Sequence, residues 1–130
     1  MNYLLICTNN QITMGNNFQQ ISIEQLDSVS FGDHEFKKEL IEIFLEQIPD
    51  FIFNMKKFYA ENNLENLARE AHTAKSSALI FGMTSTGDSL KEIQLQAEDK
   101  ISEQLSALLN KVELELKDAE NQLQNILADL

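Results

Sequence analysis

From Leu105 to Leu130 the apolar residues step by four and three without a break: Leu105, Leu109, Val112, Leu116, Ala119, Leu123, Ile126 and Leu130. Only an α-helix, at about 3.6 residues per turn, gathers that spacing onto one side. A seam of this length has to be covered, either by other helices of the same chain or by a second copy in a coiled coil. Three further amphipathic stretches lie upstream and need a partner as well, so an intramolecular helical bundle is the expected solution. One Pro and four Gly in 130 residues are too few for the turns of an all-β chain, and 43% hydrophobic residues suffice for one core.

The upstream stretches have readable ends. A short helix is expected over residues 23–28, opened by Ser22. Gly32-Asp33 then supplies a stop and an N-cap, with the Asp33 carboxylate ready to accept backbone N–H groups. From Phe36 the spacing Leu40, Ile43, Phe44, Phe51, Met55 and Phe58 defines the core side of a long helix. Pro49 lies inside it and predicts a kink, because it removes one backbone hydrogen bond while the apolar phase resumes beyond it. Asn62, with Glu65 three residues on, has the form of a capping box for a helix that runs to about Phe81 and stops at Gly82. The next helix is expected from near Ser85 to near Asp99, using Leu90, Ile93, Leu95 and Ala97, and the last over residues 101–130.

These readings give an all-α fold, an antiparallel up-down four-helix bundle with a short extra N-terminal helix, over residues 21–130. Residues 1–20 are rich in Asn and Gln and lack a helical period, and are expected to be a loosely ordered extension. A formal net charge of −11 opposes binding to nucleic acid or to an anionic membrane. The run Tyr3-Leu4-Leu5-Ile6-Cys7 lacks a preceding basic region and is too short for a signal core, and no stretch approaches a membrane span. A single cysteine excludes an intramolecular disulfide. A cytoplasmic protein is expected.

The chain has two histidines. On the helix after Asn62, the residues Leu64, Leu67, Ala71, Ala74, Ala78 and Phe81 share one face. His72 lies about 120° from its centre, at or near the surface in mid-helix. Its neighbours at three and four residues are Ala68, Arg69, Lys75 and Ser76. Two small side chains leave the ring open, and two cations favour an anion beside it. A neutral imidazole is a competent nucleophile near neutral pH, and Lys75 could offset the charge of an accepted phosphoryl group. Taken alone, this setting is also that of an ordinary surface histidine. His34, in the first turn of the long helix, reads as a solvated surface residue. No carboxylate-x-x-His pair or cysteine accompanies the histidines, so no metal site is expected.

The stretch Ala71-His72-Thr73-Ala74-Lys75-Ser76-Ser77-Ala78-Leu79-Ile80-Phe81-Gly82 resembles the signature of histidine-containing phosphotransfer domains. In that family a phosphorylated histidine is followed three residues on by Lys, then by small residues and a helix-closing Gly. Gly32-Asp33-His34-Glu35-Phe36 and Phe44-Leu45-Glu46-Gln47-Ile48-Pro49 resemble its flanks. The resemblance covers residues 23–99. One departure is Ser76, where many members carry Gly. It is small and could donate a hydrogen bond to a phosphoryl group, or narrow access to the histidine.

The resemblance implies a phosphorelay intermediate. His72 would take a phosphoryl group from a receiver-domain aspartate and pass it to another receiver, with Lys75 and Ser76 beside it. It also implies a sensor or hybrid histidine kinase upstream. No cofactor is expected on the chain itself: no Gly-rich phosphate loop is present, and Mg²⁺ is expected on the partner receiver. The long helix carries more apolar residues than one packing face requires. Its surplus Ile41, Leu45 and Ile52, together with Ala68, Arg69 and Leu79 near the histidine, is the expected docking surface of a monomer. The alternative classes are a non-catalytic helical-bundle adaptor and a coiled-coil interaction protein.

Overall fold

The structure, a computed structural model, describes residues 20–130. Among them are five helices and no strand: α1 (Ile23–Val29), α2 (His34–Ala60), α3 (Leu64–Ile80), α4 (Thr84–Glu98) and α5 (Leu105–Ala128). The expected extension falls almost wholly on residues outside this range. Gln20, its last residue, donates its backbone N–H to Gln122 Oε1 of α5 at 2.9 Å.

The first four helices end in one way, which explains why their connections are short. After each, a residue adopts positive φ: Phe31 and Gly32 after α1, Asn62 after α2, Gly82 after α3 and Lys100 after α4. The backbone N–H groups of Gly32, Asn63, Met83 and Ile101 then return to the carbonyls of Asp27, Phe58, Ala78 and Gln96. These bonds close helical carbonyls that otherwise lack a partner. The motif also corrects one expectation. Asn62 spends its tolerance for left-handed backbone on ending α2, so the N-cap of α3 is Asn63, whose side chain accepts from the Asn66 N–H. Ser22 and Asp33 cap α1 and α2 as expected.

Helices α2 to α5 form an up-down bundle in which each packs on the next and α5 closes back on α2. Side-chain bonds fix the direction. Asn54 bonds Glu70 and Gln47 accepts from Ser77, so α2 and α3 run antiparallel. Thr86 bonds Glu115 and Lys111 bonds Ser89, so α4 and α5 do the same. The α5 seam from Leu105 to Leu123 is buried inside the bundle, with Leu130 exposed at its end. It is therefore used within the chain and is not free to pair with a second copy. The short α1 lies across the bundle end made by the α3–α4 turn: Ser22 N–H bonds Phe81 O at 2.9 Å, and Ile21 and Leu26 are buried there.

Helix α2 continues through Pro49 as one helix, so the proline does not split it. Its buried face differs from the expected one. Ile41, Phe44, Ile48, Phe51 and Met55 point inward, while Ile43 and Phe36 are 53% and 39% exposed. Phe44, common to both faces, stacks on Phe81 at 4.6 Å between ring centroids, and the difference lies in Ile41 and Ile48, which take the inward places expected for Phe36 and Ile43. On α4 the buried residues include Gln96, and Leu95 faces solvent. The last helix begins at Leu105, four residues later than expected, because Lys100 turns the chain and Ile101 to Gln104 lie outside it.

Candidate functional site

Small residues set the distance between α3 and α4. Ala68, Ala71, Ala74 and Ala78 are all buried on α3, and Gly87 lies opposite on α4. A Cβ added at Gly87 would meet the end of the Leu79 side chain, Cδ2, at 2.7 Å, so the two helices meet here through a glycine and a leucine that would have to shift. Between the helices an open groove of about 800 Å³ is lined by Ala68, Arg69, His72, Gln94, Glu98 and Lys100, among others.

His72 stands exposed at the edge of this groove. Its Nδ1 lies 3.2 Å from Gln94 Oε1, and Gln94 Nε2 donates to Glu98 Oε2 at 3.0 Å. The proton positions follow from the chemistry of the groups. A carboxylate only accepts, so the Gln94 amide must turn its NH₂ to Glu98 and its oxygen to the imidazole. That oxygen also only accepts, so Nδ1 carries the ring proton. The lone pair is then on Nε2, which makes no hydrogen bond to another described residue. The arrangement leaves Nε2 as the unpartnered nitrogen, among the described residues, of an exposed imidazole.

The other expected site residues divide. Arg69 is paired with Glu65 at 3.2 Å, with both side chains largely exposed, so part of its charge is already offset. Lys75 is half-buried, and no carboxylate lies within ion-pair range of it among the described residues. Ser76 is exposed, but its Oγ–H donates to the His72 carbonyl at 3.3 Å, so in this arrangement the hydroxyl serves the backbone. Ala68 is buried at 5% and contributes groove wall. Leu79 is 44% exposed. His34 is exposed at the start of α2, away from the groove.

Of the docking residues expected on α2, Ile41 is corrected by its full burial, while Leu45 and Ile52 are half-buried against the core. Ile52 belongs to a different groove that also includes Glu113 and Lys117 of α5. An exposed apolar residue on the α3-facing side of α2 is Ile43. It lies one turn from Gln47, which bonds Ser77, and so sits about level with Ile80 of α3, itself 40% exposed. Leu79 and Ile80 lie about two turns, roughly 10–12 Å along α3, from His72, so with Ile43 they leave exposed apolar surface towards the α3–α4 turn.

Gln94 and Glu98 were not identifiable from local sequence. The signal lies across the turn: Gly82 is ten residues after His72, and Gln94 is twelve residues after Gly82. An antiparallel hairpin therefore brings them level. Among the described residues no group of three potential metal ligands is found, and no helix is long and apolar enough to cross a membrane.

The model of the Hpt domain family matches residues 39–130, well over half of the chain. The chain belongs to the Hpt domain family. The match takes in most of α2 and all of α3 to α5, so the hairpin that carries His72 lies within it. The phosphorelay intermediate protein YPD1 of Candida albicans is 34% identical over 59 residues, which cover 45% of this chain and 32% of that protein. The matched segment thus spans about a third of that relative's length. The crystal structure of histidine-containing phosphotransfer protein B of Pseudomonas aeruginosa PAO1 superimposes with a TM-score of 0.80, covering 85% of this chain and 96% of that one. At 14% identity that likeness establishes the Hpt fold.

Proposed function

We propose that this Hpt domain is a phosphorelay intermediate that carries a phosphoryl group on Nε2 of His72 between receiver domains. The supporting observation is the His72–Gln94–Glu98 chain of hydrogen bonds, which leaves the Nε2 lone pair without a partner among the described residues, on an exposed histidine that lines an open groove. In the forward step Nε2 attacks the phosphorus of an aspartyl phosphate on the donor receiver. The N–P bond forms as the acyl O–P bond breaks, and the Asp carboxylate leaves. Nδ1 keeps its proton, held by the Gln94 oxygen. The second step runs the same displacement towards the Asp of another receiver. Because the donor is already activated, the task left to this chain is positioning and electrostatic support. Lys75 is the unpaired cation three residues from the nucleophile. Mg²⁺ belongs to the receiver in this reading, which assigns no cofactor to the chain.

The receiver is taken to dock over His72 and the flank formed by Leu79, Ile80 and Ile43, with a sensor or hybrid kinase further upstream. The domain acts as a monomer, since its α5 seam is used internally. We take the cytoplasm as its compartment, in keeping with a lone cysteine. The test is incubation with phosphorylated receivers. The parent chain and His34→Gln should acquire an acid-labile, base-stable label, and His72→Gln should acquire none. His72 contributes little to the core, so the variant should unfold within about 0.5 kcal/mol of the parent. Equal labelling of His72→Gln would overturn the assignment.

A further inference from the structure

A glutamine is a symmetric clamp with two unlike ends. Turned one way, Gln94 offers His72 an oxygen and leaves the lone pair on Nε2. Turned over, it would offer an NH₂ group, Nδ1 would have to accept, and the ring proton would move to Nε2. A protonated Nε2 has no lone pair for phosphorus. The imidazole cannot itself decide the matter, because either tautomer satisfies one orientation of the amide. The group that breaks the tie lies one turn along α4, where the Glu98 carboxylate accepts from Gln94 Nε2 at 3.0 Å.

We propose that Glu98 is a positioning residue for phosphoryl transfer, acting through the Gln94 amide to keep the proton of His72 on Nδ1 and the lone pair on Nε2. The inference rests on His72 being the phosphoryl acceptor, and it goes further by giving a role to a residue that never meets the phosphoryl group. Three observations carry it. Glu98 is exposed, so packing does not account for its place. No Lys or Arg lies within ion-pair range of it among the described residues, so salt bridging does not either. Its charge is also of the wrong sign for a groove that receives an anion, and a carboxylate there is explained by what it does to the amide.

That last point separates the proposal from simple electrostatics. If only charge mattered, Glu98→Ala and Glu98→Gln would both remove a repulsive carboxylate, and both would accept phosphate faster. If the carboxylate holds the amide, both variants instead lose the Nδ1–H preference. Alanine offers no acceptor, and glutamine, which can donate as well as accept, no longer decides which way the Gln94 amide turns.

The experiment uses the full chain labelled with ¹⁵N-histidine, above the histidine titration range, with His34 assigned through His34→Gln. Two-bond ¹H–¹⁵N correlations report the tautomer of His72 directly. The parent should show the Nδ1–H form. In Glu98→Ala the Nε2–H population should rise about three- to tenfold, the range open to one neutral hydrogen bond. Transfer from a phosphorylated receiver should slow by a similar factor. Glu98→Gln should move in the same direction in both measurements, since its amide accepts either orientation of Gln94, and Gln94→Ala should match or exceed the effect of Glu98→Ala. An unchanged tautomer in Glu98→Ala, or equal acceleration in Glu98→Ala and Glu98→Gln, would overturn the proposal. Failure of the parent chain to accept phosphate from any receiver would instead overturn the reading of function, and the transfer role of Glu98 with it. The tautomer arm requires no phosphoryl group, so the two failures are distinguishable.

Discussion

Replacing Gly82 with Ala tests whether the glycine that closes the family motif also holds α1 in place. Two costs can be worked from the structure. Gly82 has φ of +72°, in the left-handed region, where a Cβ costs about 1–2 kcal/mol. The new Cβ would also lie 2.5 Å from Ser22 Cβ and 3.2 Å from Gln25 Cβ, both on α1. Neither atom is the mobile end of a side chain, so relief requires α1 to move off the bundle. Ile21 and Leu26, each 1% exposed, would then lose part of their burial, worth about 1–2 kcal/mol together for a partial shift. The sum is about 3 kcal/mol, or a fall in Tm of roughly 10 °C for a domain of this size. Urea titration followed by far-ultraviolet circular dichroism measures it. Ser22→Gly removes the opposing carbon at a cost of a few tenths of a kcal/mol, because Gly is a tolerated N-cap. In the double variant the contact part should be recovered and the backbone part should remain, leaving a coupling of about 1 kcal/mol. A cost for Gly82→Ala below about 0.5 kcal/mol, or strict additivity with Ser22→Gly, would refute the reasoning.

Three further outcomes are expected. Lys75→Ala should still accept phosphate, with the rate or the lifetime of the phosphohistidine altered by about tenfold or less, the scale of one surface cation; uptake and decay identical to the parent would remove Lys75 from the site. Ile43→Asp should remain folded by circular dichroism and weaken receiver binding by about 2 kcal/mol in a titration, whereas Ile41→Asp should unfold the chain by placing an unpaired charge in the core; the reverse pattern would restore the α2 surface expected from sequence. Hydrogen bonding from Lys117 holds the Glu113 carboxyl below the usual carboxylate range, with Lys56 adding to it and partial desolvation opposing it. A depressed folded-state value stabilises above the ordinary carboxylate range and is lost as pH falls through the depressed one. Glu113→Gln should therefore cost a few tenths of a kcal/mol at neutral pH and nothing in strong acid, and equal costs at both in urea titrations would contradict this.

The comparison of sequence with structure follows a physical division. What depends on neighbours within one helix was legible: the caps at Ser22 and Asp33, the α5 seam, and the outward direction of His72. What depends on how two helices meet was not. On α2, apolar residues cover so much of the circumference that inward rotations centred on Ile43 or on Ile41 satisfy the spacing almost equally. Which one is realised depends on how α2 meets the helices beside it, and it is Ile41 and Ile48 that those helices bury while Ile43 stays outside. Asn62 was misread because Asn serves equally as an N-cap and as a left-handed residue, and the preceding helix claimed it first. Gln94 and Glu98 carry no periodic or motif signal. They gain meaning only once the α3–α4 turn sets them level with the histidine.

The three residues of the hydrogen-bond chain, His72, Gln94 and Glu98, all belong to a single helical hairpin. Their contacts are short in sequence, so the chemistry takes shape as soon as two consecutive helices fold against each other, without waiting for the chain ends to meet. The rest of the bundle supplies burial and Ile43, the member of the proposed docking flank that lies outside the hairpin. Part of recognition can thus change on a stretch of chain that carries none of the reactive groups. Mutations on the outer surface of α2 can retune which receiver is chosen while the proton stays where it is, and a set of such domains could diverge in partnership without any of them having to rebuild its reactive nitrogen.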